Sequence, residues 1–314
     1  MYYRNITDLN NIILKKLNII PRDFDLIVGI PRSGMLPANL LALYLNRPYT
    51  DIHSFLNGHI YKAGARGQFF DGKEYRKILI VDDSVGSGKA MLEVKNDLKD
   101  ISSDVEISYC CIYMMPGKEK IVDYYFEIVP LPRYFQWNIL NHTSLEKACF
   151  DIDGVLCVDP APEQNDDGQK YIGFIVNAQP LYIPGSTIGT IVTSRLEKYR
   201  KETEEWLKKN NVKYKELVML DLPDMAARQK ANSHAPHKAK IYISKPYVLF
   251  FESDMSQARE INRLSKKPVL CTETFEMIFD SESVIYNLKS GKYFPGLKNY
   301  ALKVRDRIRK MKEK

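Results

Sequence analysis

The stretch Lys77 to Met91, KILIVDDSVGSGKAM, constrains this chain more than any other. Ile78 to Val81 are apolar without a polar break, the pattern of a strand buried on both faces of a parallel sheet. The run ends in adjacent carboxylates, Asp82 and Asp83. Ser84-Val85-Gly86-Ser87-Gly88 then leads into a helix expected from about Lys89. Strand, acid pair, Gly/Ser loop and helix start together describe a site for phosphate and sugar. Glycines let backbone N–H groups close on phosphate oxygens, and a helix N-terminus adds positive potential. Two neighbouring carboxylates only accept hydrogen bonds, which suits vicinal hydroxyls or a hydrated metal ion.

The stretch has no GxxxxGK[ST] loop, and its glycines follow the acids rather than precede them as in GxGxxG. It resembles the ribose-5-phosphate-binding signature of type I phosphoribosyltransferases. That resemblance implies that Asp82 and Asp83 hold the ribose 2- and 3-hydroxyls of phosphoribosyl pyrophosphate (PRPP). It also implies that Ser84, Val85, Gly86, Ser87, Gly88, Lys89 and Ala90 cradle the 5-phosphate, with Mg²⁺ as cofactor. Gly86 and Lys89 depart from the small hydroxylated or alanine residues usual in the family. The plain alternative is a core strand with an acidic exit.

Upstream, DLIVGI (25–30) reads as the first strand, followed by Pro31-Arg32-Ser33-Gly34 and a helix with Leu36, Leu40, Leu41 and Leu43 on one broad apolar side. A loop after the first strand of an open α/β sheet is an anion site, and in the resembled family it holds pyrophosphate, so Arg32, Ser33 and Gly34 are candidates. The segment His53 to Arg76, with Lys62, Ala63, Gly64, Ala65, Arg66 and Gly67 at its centre, is rich in Gly and basic residues and suits a mobile lid over a polyanion, or an exposed hairpin tip. Phe135 and Trp137 are expected either to hood the acceptor or to pack between domains.

A second signature begins at ACFDIDGV (148–155), an apolar strand ending in Asp151 and Asp153. Period-two geometry puts both acids on one side, supplying a nucleophilic carboxylate and a second one able to move protons. Gly189 to Arg195 is a strand ending in the hydroxyls of Thr193 and Ser194. Val248 to Asp254 is another strand, ending in acids and preceded by Lys238 and Lys240. The ordered set resembles the haloacid dehalogenase-like phosphatases over about residues 147–275. The resemblance implies that Asp151 attacks phosphorus and Asp153 protonates the leaving group, then activates water. Thr193 or Ser194 and either Lys238 or Lys240 would hold phosphoryl oxygens. Mg²⁺ would sit among Asp151, Asp153 and either Glu252 or Asp254, because the late motif reads ESD. The short stretch between Asp153 and the Thr193 strand leaves room for a flap rather than a cap domain.

At 314 residues the chain is expected to hold two domains. The expected fold is α/β throughout: a type I phosphoribosyltransferase parallel-sheet domain over 1–146, then a Rossmann-like haloacid dehalogenase domain with little or no cap over 147–286. A basic segment, 287–314, closes the chain. From Lys289 onward there are ten Lys and Arg against two acids, enough to account for the whole net charge of +7. A general nucleic-acid-binding surface is therefore not expected. Ala301, Val304, Ile308 and Met311 at helical spacing suit peripheral membrane contact or a solvated terminal helix. Five cysteines without CxxC pairing argue against a disulfide framework or a zinc site. No run is long enough to span a membrane and no leader pattern is present, so the expected compartment is cytoplasmic.

Together the signatures lead to an expectation of sequential action. PRPP and an acceptor, a glycan in the first reading, give a phosphoribosyl product, and the phosphatase leaves a ribofuranosyl residue. The pairing resembles the phosphoribosyltransferase and phosphatase pairs of bacterial polysaccharide ribofuranosylation. Nucleobase salvage and a regulatory protein that binds PRPP are the alternatives.

Overall fold

The computed structural model describes residues 1–61, 74–99, 105–231 and 234–279. Arg66 with its neighbours, and the basic segment 287–314, lie outside the described residues. The chain divides into two compact units, 1–139 and 140–314, the division falling a few residues before the expected position.

In the first unit, β1 (Tyr2–Arg4) and β7 (Arg133–Phe135) pair as a separate parallel ribbon. The main sheet holds β2 (Leu26–Gly29), β3 (Tyr49–Asp51), β4 (Lys77–Val85), β5 (Glu106–Met114) and β6 (Tyr124–Ile128). Its order is β3-β2-β4-β5-β6, with every pairing parallel. Strand alternation builds a core on each face. Ile27, Leu79, Val81 and Ile112 join Leu9 and Ile13 of α1 (Ile6–Lys16) and Leu41 of α2 (Met35–Leu45). Leu26, Val28, Ile78 and Ile80 turn the other way, with Met91 and Val94 of α4 (Lys89–Asp97). The short α3 (Ile52–Leu56) follows β3. α2 buries Pro37, Ala38, Leu41, Ala42 and Leu45, with Leu36 and Leu40 half-buried against the same core, and of the four leucines read as one apolar side Leu43 alone is exposed, at 69%.

The order reverses at β2, because the chain goes to β3 on one side and then returns to β4 on the other. A parallel sheet opens its ligand crevice there, beyond the C-terminal strand ends. Those ends carry the loop at Arg32 and the acids of β4.

The second unit has a mixed sheet ordered β10-β9-β8-β11-β12-β13. Its strands are β8 (Ala148–Phe150), β9 (Ile188–Leu196), β10 (Tyr214–Leu220), β11 (Leu249–Glu252), β12 (Val269–Cys271) and β13 (Glu276–Ile278). The first five run parallel, and β13 is antiparallel to β12. Helices α5 (Gln169–Asn177), α6 (Arg200–Lys209), α7 (Met225–Ala231), α8 (His234–Ser244) and α9 (Met255–Ser265) complete it. Ala235, Ala239 and Tyr242 of α8 meet Ala258 and Ile261 of α9 over Cys149, Val192 and Phe250. Between Asp153 and β9 the described elements are one 3₁₀ turn and α5, whose Tyr171, Phe174 and Ile175 are buried. Here the order reverses at β8, so a crevice opens between the ends of β8 and β11. Each of the five cysteines is a free, buried thiol. No helix among the described residues is long and apolar enough to cross a membrane.

Candidate functional site

The crevice of the first unit is built on β4, which runs past the expected strand end and carries Asp82, Asp83, Ser84 and Val85 within it. β5 continues alongside, with Asp82 opposite Cys111 and Ser84 opposite Tyr113, so pairing holds the acids in place. Asp82 and Asp83 are 8% and 3% exposed. The Asp83 backbone N–H donates to Asp82 Oδ1 at 2.8 Å. Burial first, and the adjacent Asp83 carboxylate second, push the Asp82 carboxyl up to about 8. Donors able to meet both acids, such as sugar hydroxyls or a divalent cation, would relieve that repulsion.

Gly34 brings the two loops together. A Cβ there would stand 2.5 Å from Ile30 O, 2.8 Å from Val81 O and 2.9 Å from Asp82 Oδ1. Gly34→Ala is therefore expected to cost about 1–3 kcal/mol, because the neighbours include fixed backbone oxygens. Urea unfolding measures that loss, and weakened PRPP binding should accompany it. Arg32 is exposed at the mouth of the crevice and Ser33 half-buried, while the Pro31–Arg32 peptide is cis. Gly86 is half-buried and Ser87 exposed ahead of α4, and Gly88 has φ +89°.

Arg133, which the sequence reading did not single out, closes the far side. Its Nη1 donates to Tyr113 O and Val129 O, each at 3.4 Å, and its Nη2 would stand 3.3 Å from a Cβ at Gly86. No local pattern marks this role, because the residue arrives from β7. Trp137 Nε1–H donates to Asp83 Oδ2 at 2.6 Å, and its ring stacks on Phe135 at 5.1 Å. Phe135 also stacks on Tyr113 and is 7% exposed. Phe135 thus packs in the core instead of covering an acceptor, whereas half-buried Trp137 touches the acid pair.

In the second unit, Asp151 follows β8, Thr193 and Ser194 lie in β9, and Glu252 ends β11. These residues, with Asp153, Arg228, Lys238 and Asp254, line one cavity of about 330 Å³. The Lys238 ammonium donates to Asp151 Oδ2 at 2.6 Å, Glu252 Oε2 at 2.7 Å and Gln257 Oε1 at 3.1 Å. Burial opposes its charge, but Asp151 and Glu252 outweigh burial and hold it above its ordinary range. One cation serves two buried carboxylates, and burial, partly offset by Lys238, pushes Glu252 up to about 7. Lys240, two residues along α8, is exposed and does not line the cavity.

Arg195, fully buried, donates from Nε and Nη2 to Asp153, the shortest contact being 2.6 Å. Thr193 Oγ1 accepts from the Arg195 backbone N–H at 3.2 Å. Asp254 caps α9 by accepting from Gln257 N at 2.7 Å. The carboxylates expected to hold Mg²⁺, Asp151 and Asp153 with either Glu252 or Asp254, therefore line one cavity but are divided between Lys238, Arg195 and a helix cap. Among the described residues no three His, Cys, Asp or Glu side chains form a group that could hold a metal ion. Next to the cavity lies an open groove of about 450 Å³, which shares Asp159, Ser253 and Asp254 with it and adds Tyr182 and Glu273.

Residues 2–142 match the family described as phosphoribosyl transferase domain. Among curated proteins, the chain is 29% identical over 97 residues to the transcriptional regulator GfcR of Methanococcoides burtonii, covering 30% of this chain and 48% of that protein. It is 26% identical over 140 residues to an orotate phosphoribosyltransferase of Staphylothermus marinus, covering 44% of this chain and 64% of that protein. The chain thus spans between about half and two thirds of these relatives' length. Among solved structures, a purine phosphoribosyltransferase from Pyrococcus horikoshii is 24% identical, with 43% of this chain and 92% of that chain covered and a TM-score of 0.32.

Proposed function

We propose, from the premise that residues 2–142 form a phosphoribosyltransferase-family domain, that the chain transfers 5-phosphoribosyl from PRPP to a glycan and then removes the 5-phosphate. The observation that carries this reading is the presence on one chain of two unlike sites. One is a crevice of paired acids and a Gly/Ser loop. The other is a cavity with a buried Asp151–Lys238–Glu252 cluster. The first site's product bears the kind of phosphomonoester that the second consumes.

In the first site Asp82 and Asp83 accept the ribose hydroxyls, the backbone of residues 84–90 binds the 5-phosphate, and Arg32, Ser33 and Gly34 receive pyrophosphate. Mg²⁺ fits the acid pair and would neutralise charge on the departing pyrophosphate. The protein's share of the rate comes from holding these groups in place. In the second site the Asp151 carboxylate attacks phosphorus and the P–O bond to the leaving group breaks, the leaving oxygen taking its proton from solvent because both Asp153 oxygens accept from Arg195. Asp153 then takes a proton from water, whose oxygen displaces Asp151 and releases phosphate. No step there is routed through a metal, given how the carboxylates are engaged.

The groove beside the cavity favours a glycan. Tyr182 lines it, and Asp159, Asp254 and Glu273 bring carboxylates that can accept from sugar hydroxyls. Nucleobase salvage is the second reading, favoured by the match to an orotate phosphoribosyltransferase. Regulation by PRPP binding is the third, favoured by the match to a transcriptional regulator. Pyrophosphate release is the discriminating assay, run with PRPP against panels of glycans and nucleobases. Release with a glycan supports the proposal, release with nucleobases alone turns it to salvage, and none with any acceptor turns it to a binding protein.

A further inference from the structure

In the second unit, the cation expected to grip phosphate has no hydrogen to spare. An ammonium carries three N–H donors, and those of Lys238 meet Asp151, Glu252 and Gln257. Two other buried groups in the same cavity each keep one atom without a partner, although Arg228 also hydrogen-bonds Tyr171. Arg228 is 8% exposed, its Nη1 donates to Ser194 O at 3.2 Å, and its Nε meets no partner among the described residues. Ser194, also 8% exposed, has a hydroxyl without a partner there. A buried donor left unmatched costs free energy that an incoming acceptor recovers. Arg228 and Lys238 are the two cations of a lining that also carries Asp151, Asp153, Asp159, Glu252 and Asp254, and burial first, then these two cations, hold the nearby His234 imidazole below its ordinary range.

We propose that Arg228 and the Ser194 hydroxyl form the seat for the phosphoryl oxygens of the substrate, while Lys238 positions and charge-balances Asp151. This rests on the phosphatase reading for the identity of the ligand. A guanidinium suits the task because its planar donors match phosphate oxygens, and Nη1 is anchored to the β9 backbone while Nε remains free. Arg228 comes from α7, ten residues before Lys238 and outside the motifs that mark the cavity, and nothing local announces it.

The test uses the full chain and inorganic phosphate as the probe, followed by calorimetry and by competitive inhibition of p-nitrophenyl phosphate hydrolysis. Arg228→Ala should weaken phosphate binding about 10- to 100-fold, the loss expected for hydrogen bonds to a charged group. KM for the phosphomonoester should rise in parallel. Arg228→Lys, which keeps the charge without the planar donors, should fall between wild type and Arg228→Ala, and Ser194→Ala should show the smallest loss. If Arg228→Ala folds poorly by circular dichroism, Arg228→Lys decides. Phosphate affinity unchanged in a folded variant overturns the seat, as does a fall in kcat with KM unmoved. A wild type that binds phosphate through Arg228 but hydrolyses no phosphomonoester keeps the seat and removes the phosphatase reading. Normal hydrolysis with Arg228-independent phosphate binding does the reverse.

Discussion

Replacing Asp82 and Asp83 together by Asn should weaken PRPP binding about 100-fold or more while sparing phosphomonoester hydrolysis. Each hydrogen bond to a buried carboxylate is worth about 1.5–3 kcal/mol, so losing the charge at both positions reaches that range. The same variant should gain stability at neutral and higher pH. Burial first, and then Asp83, raise the Asp82 carboxyl to about 8 in the folded protein, against an ordinary value near 3.8 in the unfolded chain. The folded state therefore binds more protons between those values, and wild-type stability falls as pH rises from about 4 to about 8. Double-Asn protein lacks that part of the slope. Binding has the opposite sign, because ribose hydroxyls and Mg²⁺ call for ionised acids. PRPP affinity should rise with pH up to about 8 and then level, with proton release on binding below that. Calorimetry at several pH values measures both, and undiminished PRPP affinity in the double variant would remove these acids from the site.

Asp151→Asn should lower phosphomonoester hydrolysis by about 10⁴-fold or more, the scale on which a covalent nucleophile is lost. Asn keeps the shape and an acceptor for Lys238, but it removes the attacking charge. It also leaves Lys238 facing Glu252 alone, an even match of one cation to one carboxylate. Folding should therefore survive. Pyrophosphate release with PRPP and acceptor should be unchanged, because Asp151 belongs to a different unit from Asp82 and Asp83. A variant that hydrolyses at the wild-type rate would return Asp151 to a structural role in the Lys238 cluster.

The two central strands were legible because four apolar residues before Asp82, and the apolar strand before Asp151, admit few folds other than a buried parallel strand. The acids at their exits were legible for the same reason: a carboxylate after such a run has no packing role. The extent of β4 was not, since Asp82 to Val85 look like a loop until β5 is known to pair with them. Helix phase was the weakest reading. α2 is apolar nearly all round, so hydrophobicity alone does not say that Leu43 faces out. On α8, Lys238 and Lys240 are about 200° apart around the axis, so one must face in when the other faces out. The small residues Ala235 and Ala239, with Tyr242, mark the buried side and would have chosen Lys238. Arg133, Arg195 and Arg228 were missed as partners because each reaches its acid or cavity from a distant segment, a relation that a linear motif does not carry.

The two proposed reactions should run in sequence on one chain, and the mass of the product reads out that order. Wild type and Asp151→Asn protein are each incubated with PRPP, Mg²⁺ and whichever glycan supports pyrophosphate release, and the products are weighed by mass spectrometry. Wild type should yield acceptor bearing ribose. The variant should accumulate acceptor bearing ribose 5-phosphate, heavier by one phosphate, which added phosphatase converts to the wild-type mass. Fully dephosphorylated product from the Asp151→Asn variant, or phosphorylated product alone from wild type, would contradict the sequence of reactions.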